Sequence, residues 1–447
     1  MDYKKIAETV VKKALKSGAD EAEAYLEDNR EFEVNVRGGN VETVKQSMTK
    51  GMGLTVFKDK KLGFSYTSDF SEKALQDFVE KTVLLSQIAT PKPWNGLPDL
   101  KKGNPVDLDL YDPSISKIEN NKKIEIATKV EKIALAYDKR IKNSEGGWFG
   151  DAESEVILVS SKGISRRTKS SAVTFGTGVI AGEGDNMQSG YYGSSKIHFK
   201  DLEGIEYVAK EAGKRAVEKL GARPVKTQKV PVVFSRWAAP SFWSGVLSAL
   251  DGDSVFKKAT FMTDYLNKPI ASEHITLIDD PTIPRHIAST SFDGEGKPAQ
   301  KNTLIDRGVL KMFIYDTITA RKAGVKVNTI AQRYGYKGTP SGSLLNVIIN
   351  KGNVKEEDII KGIDKGFYVK GLRGSGTDIP TGNFSVGASG FWISKGELAF
   401  PVDGVTLGGN TLELMKNIEL VADNLEIRGG LNSPSFKVQE LIVGGQS

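Results

Sequence analysis

The spacing of apolar residues divides the first 90 residues into a helix, several strands and a second helix. Apolar side chains recur at helical spacing over residues 2–17, and Gly18 follows as a stop signal. Asp69 and Glu72 predict a capping box for a helix over residues 71–88. Alternating polarity between these helices predicts strands over residues 21–27, 31–37, 41–46, 51–57 and 62–67, with a hairpin turn at 58–61.

The middle of the chain repeats this mixture after an irregular segment. Residues 90–113 contain five prolines without apolar periodicity, which predicts a linker. Beyond it, the pattern predicts a helix over residues 115–137, strands over 151–160, 163–181 and 188–199, and a helix over 201–220.

The C-terminal half has shorter strands and frequent glycine turns. A strand at residues 230–234 precedes a helix over 239–250, with Trp243, Val246, Leu247 and Leu250 on one face. A later helix is predicted over residues 352–365. Many short strands at regular spacing predict a curved sheet or a barrel-like body.

These patterns predict an α+β protein, with an N-terminal α/β part of mixed sheets and covering helices and a β-rich C-terminal part. The predicted units are residues 1–89, the linker 90–113, a middle unit 114–222 and a C-terminal domain 229–447. We expect the first and middle units to pack together as one N-terminal domain.

Composition narrows the class of protein. The chain is 39% apolar and 26% charged, which is typical of a folded soluble protein, and no apolar run is long enough to cross a membrane. Acids and lysines interrupt the first helix, which therefore does not resemble a signal peptide, and we expect a cytoplasmic protein. The net charge of +6 is spread over mixed signs, which favours solubility over a nucleic-acid surface.

The residues needed for common catalytic sites are missing or isolated. The absence of cysteine excludes disulfides, thiolate catalysis and zinc–thiolate sites. His198, His274 and His286 lack a second ligand at metal-binding spacing, which predicts no resident metal. There is no G-x-S-x-G motif, and Asp251-Gly252-Asp253 lacks the rest of a calcium loop and favours a turn after a helix.

One segment could bind a peptide backbone. Residues 377–393 are rich in glycine and serine, and small residues on a strand edge permit β-addition of an extended peptide. Tight turns between strands explain the same composition, and the sequence leaves both interpretations open. The residues predicted to contact such a peptide are Thr377, Asp378, Gly382, Asn383, Phe384 and Ser385.

Several segments, in a specific order, resemble the TldD/PmbA family of peptidases, also known as modulators of DNA gyrase. The resemblance covers nearly the whole chain. The segments that carry it are residues 37–42, 51–54, 288–296, 302–321, 378–392, 402–410 and 421–425.

The family's zinc motif is altered in this chain. One subunit type of the family carries His-Glu-x-x-x-His on a helix, with a cysteine near the C-terminus as the third ligand. Aligning residues 250–253 (Leu-Asp-Gly-Asp) places Trp243 and Ser248 at the histidine positions and Ser244 at the position of the general base. Residues 428–435 match the cysteine region and contain none. Tryptophan cannot bind zinc, serine is a poor ligand, and the base is missing.

The chain is thus similar to the zinc-free PmbA (TldE) type of subunit. The resemblance implies a heterodimer with a zinc-bearing TldD-type subunit that degrades or processes unfolded or extended peptides. We expect a non-catalytic subunit without its own cofactor, with zinc only in the partner, and a homodimer when that partner is absent. Two alternatives stay open: a hydrolase with an unidentified site, and a protein-binding regulator, for example of DNA gyrase.

Overall fold

The computed structural model describes residues 2–100, 103, 105–327 and 330–445. The helices in these ranges are α1 (Tyr3–Lys16), α2 (Glu72–Ile88), α3 (Asn120–Leu135), α4 (Ile205–Val217), α5 (Ala239–Ser248), α6 (Gly252–Phe256), α7 (Thr317–Ala323), α8 (Glu356–Lys361) and α9 (Thr411–Lys416). The strands are β1 (Glu21–Arg37), β2 (Asn40–Lys58), β3 (Lys61–Thr67), β4 (Ile141–Ser160), β5 (Ser165–Ala181), β6 (Gln188–Lys196), β7 (Gln228–Phe234), β8 (Leu277–Asp279), β9 (Asn302–Asp306), β10 (Val309–Leu310), β11 (Ile330–Gln332), β12 (Ser341–Ser343), β13 (Val347–Ile349), β14 (Lys365–Leu372), β15 (Asn383–Ser394), β16 (Glu397–Asn410), β17 (Ile418–Val421), β18 (Leu431–Asn432) and β19 (Phe436–Gly444).

The N-terminal lobe is one six-stranded antiparallel sheet with the order β3-β2-β1-β4-β5-β6. Strands from before and after the proline-rich segment are neighbours in it, because β1 pairs with β4. Alternate residues of β1 enter two apolar cores on one face of the sheet. Leu26 packs in the core with α1 and α2, and Val34 packs in the core with α3 and α4. The opposite face contacts the C-terminal lobe, where Glu23 pairs with Arg333.

The C-terminal lobe contains a closed barrel of five strands, β7-β14-β15-β16-β19. The barrel closes where β16 pairs with β19, from Thr406↔Gly444 to Gly408↔Ile442. A second sheet, with the order β10-β9-β8-β13-β18, packs into the same apolar core. The prediction of an α+β protein with a barrel-like C-terminal body is therefore confirmed.

Several predicted element bounds are wrong. The strands predicted at 21–27 and 31–37 are one strand, because Asp28 between them pairs with both Lys50 and Glu155. Residues 41–46 and 51–57 likewise form the single strand β2, and β4 begins at Ile141 rather than at 151. The α2 helix is capped by the Ser71 side chain, which accepts a hydrogen bond from the amide of Ala74, rather than by Asp69.

Three helices are shorter than their sequence patterns predict. The α3 helix starts at Asn120 after a 3-10 turn, and α4 ends at Val217. The helix predicted over residues 352–365 is limited to Glu356–Lys361, because β14 begins at Lys365 and the amide of Gly352 bonds to the carbonyl of Ala422.

The proline-rich segment contacts both lobes. Its described residues between 90 and 113 form no helix or strand. The amide of Lys92 bonds to the carbonyl of Lys60 in the N-terminal lobe (2.9 Å). From the C-terminal lobe, the Arg321 guanidinium donates hydrogen bonds to the carbonyl oxygens of Gly96 (2.8 Å) and Leu97 (2.9 Å). No helix in the described ranges combines the length and apolarity that spanning a lipid bilayer requires.

Candidate functional site

Helix α5 carries the residues at the zinc-motif positions, and its apolar face packs into the barrel core. The Phe242 ring lies 5.7 Å from the Phe234 ring and 5.8 Å from the Phe384 ring, measured between centroids. The Trp243 ring lies 5.9 Å from the Phe436 ring, and Trp243 is fully buried. Apolar residues at helical spacing therefore fix which side of α5 meets the barrel.

Ser244 and Ser248 lie on the opposite, exposed side of α5. Each hydroxyl donates a hydrogen bond to a carbonyl of its own helix, Ser244 to Ser241 (2.7 Å) and Ser248 to Ser244 (2.9 Å). A step of five residues along an α-helix rotates a side chain about 140° beyond one full turn. The Trp243 and Ser248 side chains consequently diverge, one into the core and the other toward solvent.

The segment predicted to contact peptides packs beside α5. A Cβ atom on Gly245 would lie 2.6 Å from Thr377 Oγ1 and 3.1 Å from Ser375 Cβ, so α5 and this segment approach as closely as glycine allows. Thr377 Oγ1 also lies 3.2 Å from Thr411 Oγ1 at the start of α9. The structure thus brings Thr377 to α5, a juxtaposition that the sequence did not predict.

The other predicted peptide-contact residues belong to a hairpin whose backbone is already paired. The amide of Asp378 bonds to the carbonyl of Asn383 (2.8 Å), and the amide of Ser385 bonds to the carbonyl of Gly376 (2.9 Å). The other edge of β15 pairs with β16 from Asn383 onward. Within the described chain, β15 therefore has no free edge for β-addition, and that part of the interpretation is wrong. Phe384 and Gly382 are buried, whereas the side chains of Asp378, Asn383 and Ser385 are exposed; their contact with a peptide stays a prediction.

Residues 428–435, which match the cysteine region, also lie near the start of α5. The amide of Arg236 donates to Ser435 Oγ (2.8 Å). A cavity of about 170 Å³ lies between the start of α5 and residues 426–433, and Arg236, Pro240 and Asn432 are among the residues that line it. Arg428 at this cavity pairs with Glu203 at 2.7 Å and with Glu426 at 2.7 Å. The cavity therefore carries paired guanidinium and carboxylate groups in place of a sulfur ligand.

The zinc ion that the family implies does not fit these residues. The matching positions offer a buried indole and two hydroxyls bonded to their own helix. Among the described residues, no three or more His, Cys, Asp or Glu side chains are grouped so as to hold a metal ion. Asp251 caps α6 by accepting a hydrogen bond from the amide of Ser254 (2.8 Å), in keeping with the predicted turn.

The three histidines have other surroundings. His198 Nε2 lies 3.0 Å from the carbonyl oxygen of Asp109, and Arg285 lies on the other side of the ring. His274 is exposed. Burial lowers the pKa of His286, which favours a neutral imidazole.

Sequence reasoning missed a buried group of charged residues between the lobes. Glu23 and Arg333 form a buried ion pair, although they are 310 residues apart in sequence. Glu295 accepts hydrogen bonds from the amide (3.1 Å) and hydroxyl (2.7 Å) of Thr317. Burial and the neighbouring Asp293 raise the pKa of Glu295 to about 7. Glu23, Glu295 and Arg333 line a cavity of about 220 Å³. The only sequence signal was the Asp-Gly-Glu-Gly segment, which does not reveal its partners.

Known protein families and relatives match this chain along nearly its whole length. Residues 22–86, 113–220 and 227–445 match, in that order, the PmbA/TldA metallopeptidase domain 1, central domain and C-terminal domain. Metalloprotease PmbA of Escherichia coli O157:H7 is 30% identical over 448 residues, covering 99% of this chain and 97% of that protein. A TldD homologue from Buchnera aphidicola is 27% identical, covering 88% of this chain and 86% of its own.

Solved structures of other proteins have the same fold. A crystal structure of a proposed modulator of DNA gyrase from Bacteroides thetaiotaomicron has a TM-score of 0.91 at 27% identity and covers both chains completely. TldE from Thermococcus kodakarensis shares the fold, with a TM-score of 0.85 at 24% identity over 98% of this chain and all of its own. The chain therefore belongs to the PmbA/TldD metallopeptidase family.

Proposed function

We propose that this chain is the non-catalytic subunit of a cytoplasmic zinc metallopeptidase complex, in which a TldD-type partner hydrolyses unfolded peptides. One observation carries the proposal. The residue at the first histidine position, Trp243, is fully buried in the barrel core, while the second position, Ser248, faces solvent.

A zinc peptidase needs three protein ligands, an open coordination position and a base for the bound water. Ser244 at the base position has no acidic group, and its hydroxyl is bonded to the carbonyl of Ser241. Neither serine is activated by a neighbouring histidine on its helix. Since α5 supplies neither ligands nor a base, the proposal assigns hydrolysis to the partner subunit.

This chain's contribution would come from the exposed surface around α5. Ser244, Ser248, Asp378 and Asn383 present short polar side chains there, and Thr377 fixes the hairpin against the helix. Such a surface can hydrogen bond to the amides of an extended peptide without selecting a particular side chain. We therefore propose that it forms one wall of the chamber that holds the substrate.

The test is co-expression with a zinc-bearing TldD-type relative, followed by a cleavage assay on an unfolded, fluorescently labelled peptide. We expect the pair to cleave, either chain alone to be much slower, and a chelator to abolish cleavage. Asp378→Arg should raise the KM of the pair. Asp364→Arg, a charge reversal of an exposed residue just before β14, is the matched control.

Two outcomes would favour the alternatives. Chelator-resistant cleavage by this chain alone would support a hydrolase with its own site. Full activity of the zinc-bearing chain without this one would support a regulator. Neither alternative is favoured by a specific contact among the described residues.

A further inference from the structure

The cavity of about 220 Å³ between the lobes is built by both lobes and by the proline-rich segment. Glu23 of β1 and Thr55 of β2 are register partners, so their side chains lie side by side on the sheet face opposite α1 and α2. This face forms the floor of the cavity, and residues 96–98 and the start of α7 contribute to its walls.

The Thr55 hydroxyl at this floor is a buried polar group without a partner. Thr55 is 5% exposed, and its Oγ1 makes no hydrogen bond to any described residue. Buried hydroxyls in folded proteins are nearly always hydrogen bonded, because an unsatisfied one lowers the stability. Since Thr55 lines the cavity, a molecule bound there can supply the missing partner.

The cavity also has an excess of acidic groups. Among the described residues that line it, three are carboxylates, Glu23, Glu295 and Asp316, and one is a guanidinium, Arg333. Glu23 pairs with Arg333. Asp316 caps α7 by accepting hydrogen bonds from two amides of that helix, at 2.8 and 3.0 Å. Two of the three carboxylates therefore have structural partners.

Glu295 is the carboxylate that lacks a cation. Its hydrogen bonds come from the amide and hydroxyl of Thr317, and it forms no ion pair within the part of the chain that the structure describes. Lys297, two residues away, pairs with Asp293 at 3.7 Å. The raised pKa of Glu295, about 7, is the expected property of a buried carboxylate beside another acid.

We propose that this cavity binds a small primary amine with an apolar body, whose ammonium group reaches Glu295 and the Thr55 hydroxyl. An ammonium group has three donors and no acceptor, which suits a carboxylate and a hydroxyl oxygen. Phe57, Leu97 and Ile318 supply apolar surface for the rest of the molecule. The inference concerns the boundary between the lobes and does not rest on the proposed peptidase role.

The volume limits the size of the ligand. An apolar cavity of about 150 Å³ holds benzene, so about 220 Å³ has room for roughly nine non-hydrogen atoms. Phenethylamine has this size and joins an ammonium group to an aromatic ring. A peptide that begins with phenylalanine is larger, and we therefore assign the site to a free amine rather than to a peptide N-terminus.

Isothermal titration calorimetry on the full chain tests the ligand class. The buffer should be at about pH 8, so that Glu295, with its pKa of about 7, is ionised. Phenethylamine should bind with a Kd on the order of 1 mM or below. The uncharged 2-phenylethanol should bind at least about tenfold more weakly, and phenylacetate should not bind.

Three results of this titration would overturn the proposal. The first is the absence of phenethylamine binding at concentrations on the order of 10 mM, and the second is equal affinity for the amine and the alcohol. The third is competition between phenethylamine and the tripeptide Phe-Gly-Gly, which would identify a peptide N-terminus instead of a free amine.

Two variants test the position of the amine. Thr55→Val keeps the shape of the side chain and should weaken phenethylamine binding about tenfold. It should not lower the melting temperature, because the hydroxyl makes no hydrogen bond in the unliganded chain. Glu295→Gln should also weaken binding at least about tenfold. Thr406→Val and Glu33→Gln, at exposed strand positions, are the matched controls. Wild-type affinity in Thr55→Val and Glu295→Gln would overturn the assignment.

Discussion

Rebuilding the family's zinc motif on α5 should fail, and the structure indicates why. The Trp243→His, Ser244→Glu, Ser248→His variant would put an imidazole in the barrel core, where the Trp243 ring lies 5.2 Å from Phe242 and 5.9 Å from Phe436. Truncating a buried tryptophan to alanine costs about 3–5 kcal/mol. Histidine refills part of that space but buries two ring nitrogens. We therefore expect the free energy of unfolding to fall by about 3 kcal/mol.

Two measurements check this prediction. Elemental analysis should find no stoichiometric zinc, because residues 428–435 contain no cysteine to serve as the third ligand. Thermal melting should show the lost stability. The Ser244→Glu, Ser248→His variant is the control: it changes only exposed sites and should stay within about 0.5 kcal/mol of wild type. One zinc per chain with an unchanged melting curve in the triple variant would refute the argument.

Three further predictions concern buried contacts. With its native pKa near 7 against an ordinary 4.5, Glu295 binds a proton more readily folded than unfolded, so its contribution to stability falls as pH rises from about 4.5 to 7. In Glu295→Gln, the side-chain oxygen can still accept from the Thr317 amide, while the NH2 group donates to the Thr317 hydroxyl. Denaturant titrations should show that this variant removes up to about 3 kcal/mol of that fall; an identical pH profile would contradict it. Arg333→Met should lower the free energy of unfolding by about 3–5 kcal/mol, because it leaves the buried Glu23 carboxylate without its partner, and adding Glu23→Gln should recover most of this loss. A single variant as stable as wild type would contradict this. Gly245→Val should destabilise by about 1–3 kcal/mol through overlap with the neighbouring hairpin, measured by thermal melting, and an unchanged melting temperature would count against that contact.

The sequence pattern located most elements of the N-terminal lobe, because their alternation follows one buried sheet face. It divided β1 and β2 into shorter pieces, since Asp28 and its neighbours carry no apolar signal yet still pair on both sides. The sequence pattern could not predict the order of the barrel strands. β7 pairs with β14 and β19, which both lie more than a hundred residues further along the chain, and local periodicity contains no information on such pairing.

At the site, helical spacing correctly predicted which face of α5 is buried. The face predicted from Trp243, Val246 and Leu250 is the buried one, and Leu247 lies partly buried beside it. The register of the motif and this face together placed Trp243 in the core. The contact of Thr377 with α5 and the ion pair of Glu23 with Arg333 could not be predicted, because each joins residues that are distant in sequence.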